Sequence, residues 1–282
     1  MTNVRVTGIF TYPVKSCAGI SHDSMHLIAR GFAFDRQWMI VRDDDTRRGL
    51  FVTQREYPRL ALIQPMITTD RLVICAPGMP DISMTLTQTK SNMYAVRVWR
   101  DGVSAIDEGN EIAAWISTFI GATLRLVRFD DHAVRALSMQ FTDEPGQTGF
   151  ADAYPLLIAS QESLSDLNER LIARGSSPVP MTRFRPNIVV QGLARPFDED
   201  DWKWIAINGV RCEVAKPCAR CAVTTVDPAT GTIPERAEPL ATLETFRRGI
   251  GRVSGVLFAQ NVIHRGLGSM RVGDLVEITE RV

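Results

Sequence analysis

The chain is built from many short runs of β-branched and aromatic residues, which Pro, Gly, Asp and charged clusters interrupt every few positions. Such interrupted runs predict strands, here over residues 4–12, 37–41, 61–67, 71–75, 83–86, 94–99, 188–190, 210–214, 222–226 and 275–279. Helical periodicity occurs at about residues 109–120 and 161–174, and a third short helix is predicted at 239–248. Strands and helices do not alternate regularly. The pattern therefore favours a mixed α+β, predominantly β fold of barrel type over a doubly wound sheet.

Length, charge and cysteine usage narrow the class of protein. The 282 residues suffice for two domains, and we place the boundary so that residues 1–127 and 128–282 form separate units. The formal net charge is zero, so the whole chain has no electrostatic footprint for nucleic acid. The five cysteines are an odd number, and no secretion signal or apolar stretch of spanning length is visible. We expect a cytoplasmic protein without a membrane span.

Two thiols lie three residues apart in the segment Cys218-Ala219-Arg220-Cys221. A guanidinium next to a thiol favours the thiolate, which is the form that binds metals and attacks electrophiles. The residues after Cys221 are β-branched as far as Val226, and an Asp-Pro/Thr-Gly turn follows. We therefore expect a strand at 222–226 with the cysteines at its start. We also expect Cys218 to be a small buried neighbour of the reactive Cys221.

Three familiar uses of closely spaced cysteines fit this chain poorly. A structural zinc site needs a second close pair of ligands, but Cys17, Cys75 and Cys212 and the four histidines are scattered singly. A thioredoxin-like pair begins a helix, whereas a strand is expected here. Cys212 lies one residue too far from Cys218 for the plant-type iron–sulfur spacing, and no cysteine follows Cys221.

Four other segments place polar side chains where a purely structural role would not require them. They carry Lys15 with Ser16, the pair Asp35 and Arg36, Thr53 with Arg55, and Arg185 with Asn187. Charged and amide donors of these types bind phosphates and other oxyanions. Together with a thiolate, they suit a phosphate-bearing cofactor that is rich in heteroatoms.

In their order along the chain, these segments resemble the MOSC family, and more closely the amidoxime-reducing components and their bacterial relatives. The resemblance covers residues 5–279. It rests on Pro13-Val14-Lys15-Ser16-Cys17, Asp35-Arg36-x-Trp38, Thr53-Gln54-Arg55-x-x-Pro58-Arg59-Leu60, Phe184-Arg185-Pro186-Asn187, Cys218-x-Arg220-Cys221-x-x-Thr224-Thr225-Val226-Asp227-Pro228, Glu238-Pro239-Leu240-x-Thr242-Leu243 and Val272-Gly273-Asp274.

The resemblance implies an N-terminal β-barrel domain, a MOSC β-barrel domain with a few helices, and a molybdenum–molybdopterin cofactor (Moco) between them. It implies that Cys221 is the catalytic residue and the molybdenum ligand. The residues that it implies for cofactor binding are Lys15, Ser16, Arg36, Thr53, Arg55, Arg185, Asn187, Arg220 and Cys221. Some relatives have a small hydroxyl residue where this chain has Ala219, so only a backbone role is expected there.

The implied activity is a two-electron reduction of small N-hydroxylated substrates, which removes oxygen from N–OH to give an amine or amidine and water. Asp152 is a weak candidate for a general acid. No dinucleotide fingerprint or cluster motif is present, so we expect electrons from a separate ferredoxin-, flavin- or haem-type protein. Two alternatives stay open: a sulfur-transfer protein with Cys221 as persulfide carrier, and a simple cofactor carrier.

Overall fold

The structure, a computed structural model, describes residues 3–87, 92–235 and 237–282. The α-helices in these ranges are α1 (Asn110–Ile120), α2 (Gln161–Ala173) and α3 (Leu240–Glu244). The strands are β1 (Arg5–Thr11), β2 (Ile20–His22), β3 (Ser24–Ile28), β4 (Gly31–Phe32), β5 (Trp38–Arg42), β6 (Gln64–Ile67), β7 (Arg71–Cys75), β8 (Ile82–Thr85), β9 (Met93–Val98), β10 (Asp101–Asp107), β11 (Leu124–Phe129), β12 (Leu156–Ser160), β13 (Ile188–Gln191), β14 (Trp202–Ile207), β15 (Val210–Arg220), β16 (Arg248–Ile250), β17 (Val253–His264), β18 (Gly268–Arg271) and β19 (Val276–Arg281). The expected mixed, predominantly β fold is confirmed.

Local sequence explains the elements that periodicity predicted best. In α1, a stripe of apolar side chains that includes Ile112, Trp115, Ile116 and Phe119 is buried, as an amphipathic helix on a sheet requires. The helix ends at Gly121, whose φ of 81° is the left-handed conformation that glycine adopts without strain. Strand β9 alternates exposed and buried residues, which is typical of an antiparallel strand with one solvated face.

The largest sheet has the strand order β19-β14-β15-β17-β12-β13-β1-β2, and β16 also pairs with β17. Its buried side packs around an apolar cluster that includes Trp202, Ile158 and Val262. A second sheet, β5-β11-β10-β9, lies beside α1 and shares a core around Trp38 and Leu126. The remaining sheets are β18-β3-β4 and β6-β7-β8.

Strands from the start of the chain pair with strands from its second half. Ile9 of β1 is opposite Ile188 of β13, and Met25 of β3 is opposite Met270 of β18. This pairing brings the loop after β1, which carries Lys15, to the loop before β13, which carries Arg185. The expected division at residues 127 and 128 stays a prediction.

Three elements differ from the predictions. Residues 222–226 do not form a strand: Ala222–Thr225 is a 3₁₀-helix, whose Thr225 hydroxyl donates to the Ala222 carbonyl. The strand is the preceding one, β15, which continues to Arg220 because β17 is long enough to pair with it there. The third helix is shorter than predicted because the chain leaves it to form β16 against β17.

The segment that carries Thr53 and Arg55 forms an isolated bridge at Phe51 and then a turn. In the part of the chain that the structure describes, no helix is long and apolar enough to cross a membrane.

Candidate functional site

All nine residues that the sequence singled out line one cleft, although they come from five separate segments of the chain. The cleft encloses about 940 Å³, including space that is continuous with solvent. It lies where the loops after β1 and β5 and the end of β15 meet the loop before β13. The nine predicted roles themselves stay predictions, but the structure brings the nine side chains together.

Lys15 is the most deeply placed cation of the cleft, with only 7% of its surface exposed. Its Nζ donates to the Phe150 carbonyl at 2.7 Å and to Asp152 Oδ1 at 2.6 Å. Burial lowers the pKa of the Lys15 ammonium, and the nearby Asp152 carboxylate opposes that effect. The Asp152 carboxylate is 69% exposed. Desolvation by the surrounding protein would raise its pKa, but its pairing with Lys15 holds that pKa well below the ordinary value. Asp152 is thus ionised near neutral pH, which argues against its role as a general acid.

The turn around Ser16 is fixed from two sides. The Ser16 hydroxyl donates to the Val52 carbonyl at 3.4 Å, and Gln54 Nε2 donates to the Ser16 carbonyl at 2.7 Å. Thr53 is buried and accepts a long hydrogen bond of 3.4 Å from Arg55 Nε. The segment with Thr53 and Arg55 therefore supports the Lys15–Ser16 loop as well as lining the cleft.

Arg36 is oriented by a short network of acceptors. Its Nη1 contacts both oxygens of Asp35, at 2.8 and 2.6 Å, and donates to Asn187 Oδ1 at 3.0 Å. The same Asn187 oxygen accepts from the Leu157 backbone at 3.1 Å. Asn187 is therefore part of the cleft wall, and its side-chain oxygen links Arg36 to the backbone of β12.

Arg185 and Arg36 both lie over the ring of Tyr12, with their guanidinium carbons 4.2 and 4.4 Å from the ring centre. Burial lowers the pKa of Arg185 to about 10. Burial also raises the pKa of Tyr12 to about 12, despite the two arginines. Arg185 Nη1 donates to the Cys17 carbonyl at 2.6 Å. The two guanidiniums place positive charge beside one aromatic ring at the cleft, where an anion would be favoured.

Backbone strain is concentrated at this cleft. Among the described residues, eight non-glycine residues have positive φ, and four of them line the cleft: Ser16, Arg36, Trp99 and Arg185. Their φ angles are 70°, 46°, 55° and 55°. Such conformations cost free energy and persist where the surrounding structure enforces them, commonly at functional sites.

The thiol pair differs from the prediction in its partners. Arg220 Nη1 donates to Cys218 Sγ at 2.9 Å, and its Nη2 donates to the Phe184 carbonyl at 2.7 Å. The guanidinium that was expected to favour the Cys221 thiolate is thus directed at Cys218. Cys221 is the exposed thiol, whereas Cys218 is half-buried rather than buried. The effect of Arg220 on the Cys221 thiolate stays a prediction.

The extended backbone at the end of β15 also bears on a dithiol mechanism. The sequence argument against a thioredoxin-like pair relied on a strand after Cys221, but a 3₁₀-helix follows Cys221 instead. However, Cα atoms three residues apart on an extended chain are separated by about 10 Å, beyond the roughly 7 Å limit for a disulfide. Cys218 and Cys221 therefore could not pair without rearrangement of the end of β15.

The donor set fits an anionic, metal-bearing group. Lys15, Arg36, Arg185 and Arg220 converge on the cleft, and within the described ranges the buried Nε of Arg220 has no hydrogen-bond partner. The part of the chain that the structure describes contains no cluster of three or more His, Cys, Asp or Glu side chains suited to a metal ion. A metal held by Cys221 would need its remaining ligands from a non-protein group.

Several residues at the site were not predicted from the sequence, and Trp99 and Tyr12 are two of them. Trp99 lines the cleft and donates from its indole nitrogen to Asp152 Oδ1 at 3.0 Å. Tyr12, whose ring lies against Arg36 and Arg185, is the last residue of the first predicted strand. Neither has a local signal, since a tryptophan at a strand end and a tyrosine before a proline are ordinary features of β-proteins.

Two protein-family models match the chain. The model of the MOSC N-terminal beta barrel domain matches residues 3–123, and the model of the MOSC domain matches residues 145–277. The chain therefore belongs to the MOSC-domain proteins that also contain this N-terminal domain.

Its relatives within the family are similar over nearly the whole chain. The chain is 34% identical to the mitochondrial amidoxime reducing component 2 of Bos taurus over an alignment of 286 positions, which covers 96% of this chain and 82% of that protein. It is also 34% identical to the mitochondrial amidoxime-reducing component 1 of Homo sapiens, with the same coverage of both chains. With the molybdenum cofactor sulfurase of Oryza sativa it shares 28% identity over its full length, which corresponds to 36% of that protein.

Proposed function

We propose that this protein is a molybdenum-cofactor-dependent reductase of small N-hydroxylated compounds. The observation that carries the proposal is the convergence of nine residues from five separate segments, including one exposed thiol, on a single cationic cleft. The names of its amidoxime-reducing relatives support the reaction.

In this proposal Cys221 supplies the protein ligand to molybdenum, because a soft thiolate suits that metal and the exposed side chain is accessible. Lys15, Arg36, Arg185 and Arg220 would hold the phosphate and the pterin through charge-assisted hydrogen bonds. When bound, the cofactor supplies the two-electron chemistry that removes oxygen from N–OH. The chain itself orients that cofactor and keeps the surrounding positive charge fixed.

Asp152 has a supporting part in this arrangement. It neutralises the buried Lys15 ammonium through a 2.6 Å contact, so that the ammonium keeps its proton and its direction toward the cleft. A phosphate that entered the cleft would compete with Asp152 for the same donor. Ser16, Thr53, Arg55 and Asn187 would then contribute neutral or peripheral contacts.

The proposed reaction needs electrons, and we propose that a separate redox protein of the ferredoxin, flavin or haem type delivers them. A redox encounter of this kind is small and transient. We also propose the two-domain division at 127 and 128, which the gap between the two family matches supports. A reducing, cytoplasmic setting is supported by five cysteines that are all free thiols.

Sulfur transfer is the second candidate, with Cys221 as the persulfide carrier. It is favoured by the full-length similarity to the rice sulfurase. The lower identity to that protein, 28% against 34%, makes the reductase the stronger candidate.

Metal analysis of the purified protein, combined with reduction of an N-hydroxylated compound by an artificial dye donor, tests the proposal. We expect stoichiometric molybdenum and turnover, with both lost in Cys221→Ser. Molybdenum without turnover, together with a cyanide-releasable sulfur that disappears in Cys221→Ser, would favour sulfur transfer instead.

A further inference from the structure

Cys221 lies at the junction of two elements that hold its backbone from opposite sides. On its amino side, Arg220 is the last residue of β15 and pairs with Val256 of β17. On its carboxyl side, the chain turns at once into the 3₁₀-helix Ala222–Thr225. Cys221 itself is extended, with φ −132° and ψ 177°. Because φ and ψ of a residue set the direction of its Cα–Cβ bond, the groups that hold these two angles also direct the thiol.

Thr224 holds the Cys221 carbonyl with two hydrogen bonds. Its backbone N–H and its side-chain Oγ1 each donate to that carbonyl oxygen at 3.0 Å. Thr224 is only 1% exposed, so both bonds lie in a protein environment of low polarity, where they are strong. A carbonyl with two donors from inside the protein keeps the peptide group after Cys221 in one orientation, and this fixes ψ of Cys221.

The neighbouring Thr225 makes a similar hydrogen bond to a different acceptor. Its Oγ1 donates to the Ala222 carbonyl at 2.8 Å, and Thr225 is 2% exposed. Bonds of this kind from a threonine to the carbonyl three residues earlier are common. Both hydroxyls therefore stabilise the same 3₁₀-helix, but of the two it is the Thr224 hydroxyl that reaches Cys221.

A second 3₁₀-helix, Met181–Phe184, supports this segment at one point before Cys221 and one point after it. The carbonyl of its last residue accepts from Arg220 Nη2 at 2.7 Å. Arg183 Nη1 donates to the Thr225 carbonyl at 2.9 Å. Arg183 is 9% exposed, and within the described residues its buried Nε has no hydrogen-bond partner. Burial of an incompletely paired guanidinium costs free energy, so the stability of the fold alone does not account for this support.

We propose that Thr224 is a positioning residue that fixes the direction of the Cys221 thiol. This inference rests on the proposed function for the role of Cys221 as the molybdenum ligand. Thr224 acts through the peptide group of Cys221, so that the thiolate is directed into the cleft before the cofactor arrives. A ligand that is held in advance loses less conformational entropy when it binds.

The test uses a cross-link that the fixed backbone hinders, because Cys218 and Cys221 can pair only after rearrangement. Diamide takes two electrons and two protons from a pair of thiols, and it should join these two slowly in the metal-free, full-length wild type. In Thr224→Val the rate should rise about three- to tenfold, because it follows the fraction of molecules in which the segment is open. Trypsin cleaves after Arg220, so the two thiols lie on separate peptides, and mass spectrometry of the unreduced digest detects the cross-link.

Thr225→Val is the matched control, since it removes an equally buried hydroxyl from the same helix. It should stay within about twofold of the wild-type rate, and so should Thr224→Ser, which keeps the hydroxyl. Thr224→Ala replaces Thr224→Val if the valine variant does not fold. Equal acceleration in Thr224→Val and Thr225→Val would overturn the proposal, because the effect would then come from the helix as a whole. An unchanged rate in Thr224→Val would overturn it as well.

The holoprotein gives a second readout. With a dye donor and an N-hydroxylated compound, Thr224→Val should lower kcat about three- to tenfold and leave KM within about twofold of wild type, because a misdirected ligand affects the reaction step more than substrate binding. A raised KM at unchanged kcat would overturn the positioning role.

The two readouts separate this inference from the proposed function. If wild type shows no turnover but Thr224→Val cross-links faster than Thr225→Val, the positioning role stands and the reductase proposal fails. If wild type turns over and the two variants cross-link at equal rates, the reductase proposal stands and the positioning role fails.

Discussion

Removal of Lys15 and removal of Asp152, the two partners of one ion pair, should change the stability of the protein by different amounts. The Lys15 side chain is 8% exposed, whereas that of Asp152 is 69% exposed. Removal of Asp152 leaves a buried ammonium without its counter-ion. Removal of Lys15 leaves a carboxylate that water can solvate. We therefore expect Asp152→Ala to destabilise the protein more than Lys15→Met.

The contacts set the magnitudes. In Asp152→Ala the ammonium keeps its 2.7 Å bond to the Phe150 carbonyl and loses one charge-assisted bond, which costs about 1.5–3 kcal/mol. That is less than the roughly 3–5 kcal/mol for breaking a fully buried pair, because solvent screens the exposed carboxylate. Lys15→Met should cost about 0–1 kcal/mol.

Thermal unfolding of the metal-free protein measures the difference. For a chain of about this size, 1 kcal/mol corresponds to a shift in Tm of roughly 2–4 °C. We expect Asp152→Ala to lower the Tm by about 3–12 °C and the double variant with Lys15→Met to recover most of that loss. Equal losses in the two single variants, or a greater loss in Lys15→Met, would refute the reasoning.

The dependence on pH follows from the same pair. The pKa of Asp152 in the folded protein lies below its ordinary value, so the unfolded chain takes up the proton first as the pH falls. The stabilisation is therefore present above about pH 4 and is lost below it. Wild type should lose stability in this acid range more steeply than Asp152→Ala. The pKa of Lys15 is lower in the folded protein than in the unfolded chain. Between these two pKa values the unfolded chain binds more protons, so the free energy of unfolding rises as the pH increases through that range.

Three further predictions concern the cofactor and the electrons. Cys221→Ser should keep the fold and lose turnover. Cys218→Ser should keep most of the turnover, because a serine hydroxyl can still accept a hydrogen bond from Arg220. Equal losses of turnover per folded protein in the two variants would contradict unequal roles for the two thiols. Arg36→Ala and Arg185→Ala should each weaken cofactor affinity about ten- to a hundredfold. The purified variants should therefore contain less molybdenum, with normal turnover per bound metal. Full molybdenum occupancy without turnover would disprove a binding role for these arginines. Purified protein with NAD(P)H and an N-hydroxylated substrate should turn over only after an added carrier protein and its reductase, and turnover without them would rule out the separate donor.

Local sequence determined the elements and the chemistry that the chain carries. The apolar stripe from Ile112 to Phe119 and the stop at Gly121 define α1 because helical periodicity and a left-handed glycine are properties of a few consecutive residues. The thiol pair and the polar segments are likewise visible in the linear order, which is why the family resemblance and all nine cleft residues could be found without coordinates.

The tertiary structure decided which of these groups meet and what they contact. Pairing of β1 with β13 brings Lys15 to Arg185, which is 170 residues away in the sequence. Pairing with β17 extends β15 to Arg220 and directs its guanidinium to Cys218 instead of Cys221. The contact of Trp99 with Asp152 joins a hairpin to a distant loop. Such contacts depend on non-local strand pairing and side-chain direction, which the periodicity of a short segment does not encode.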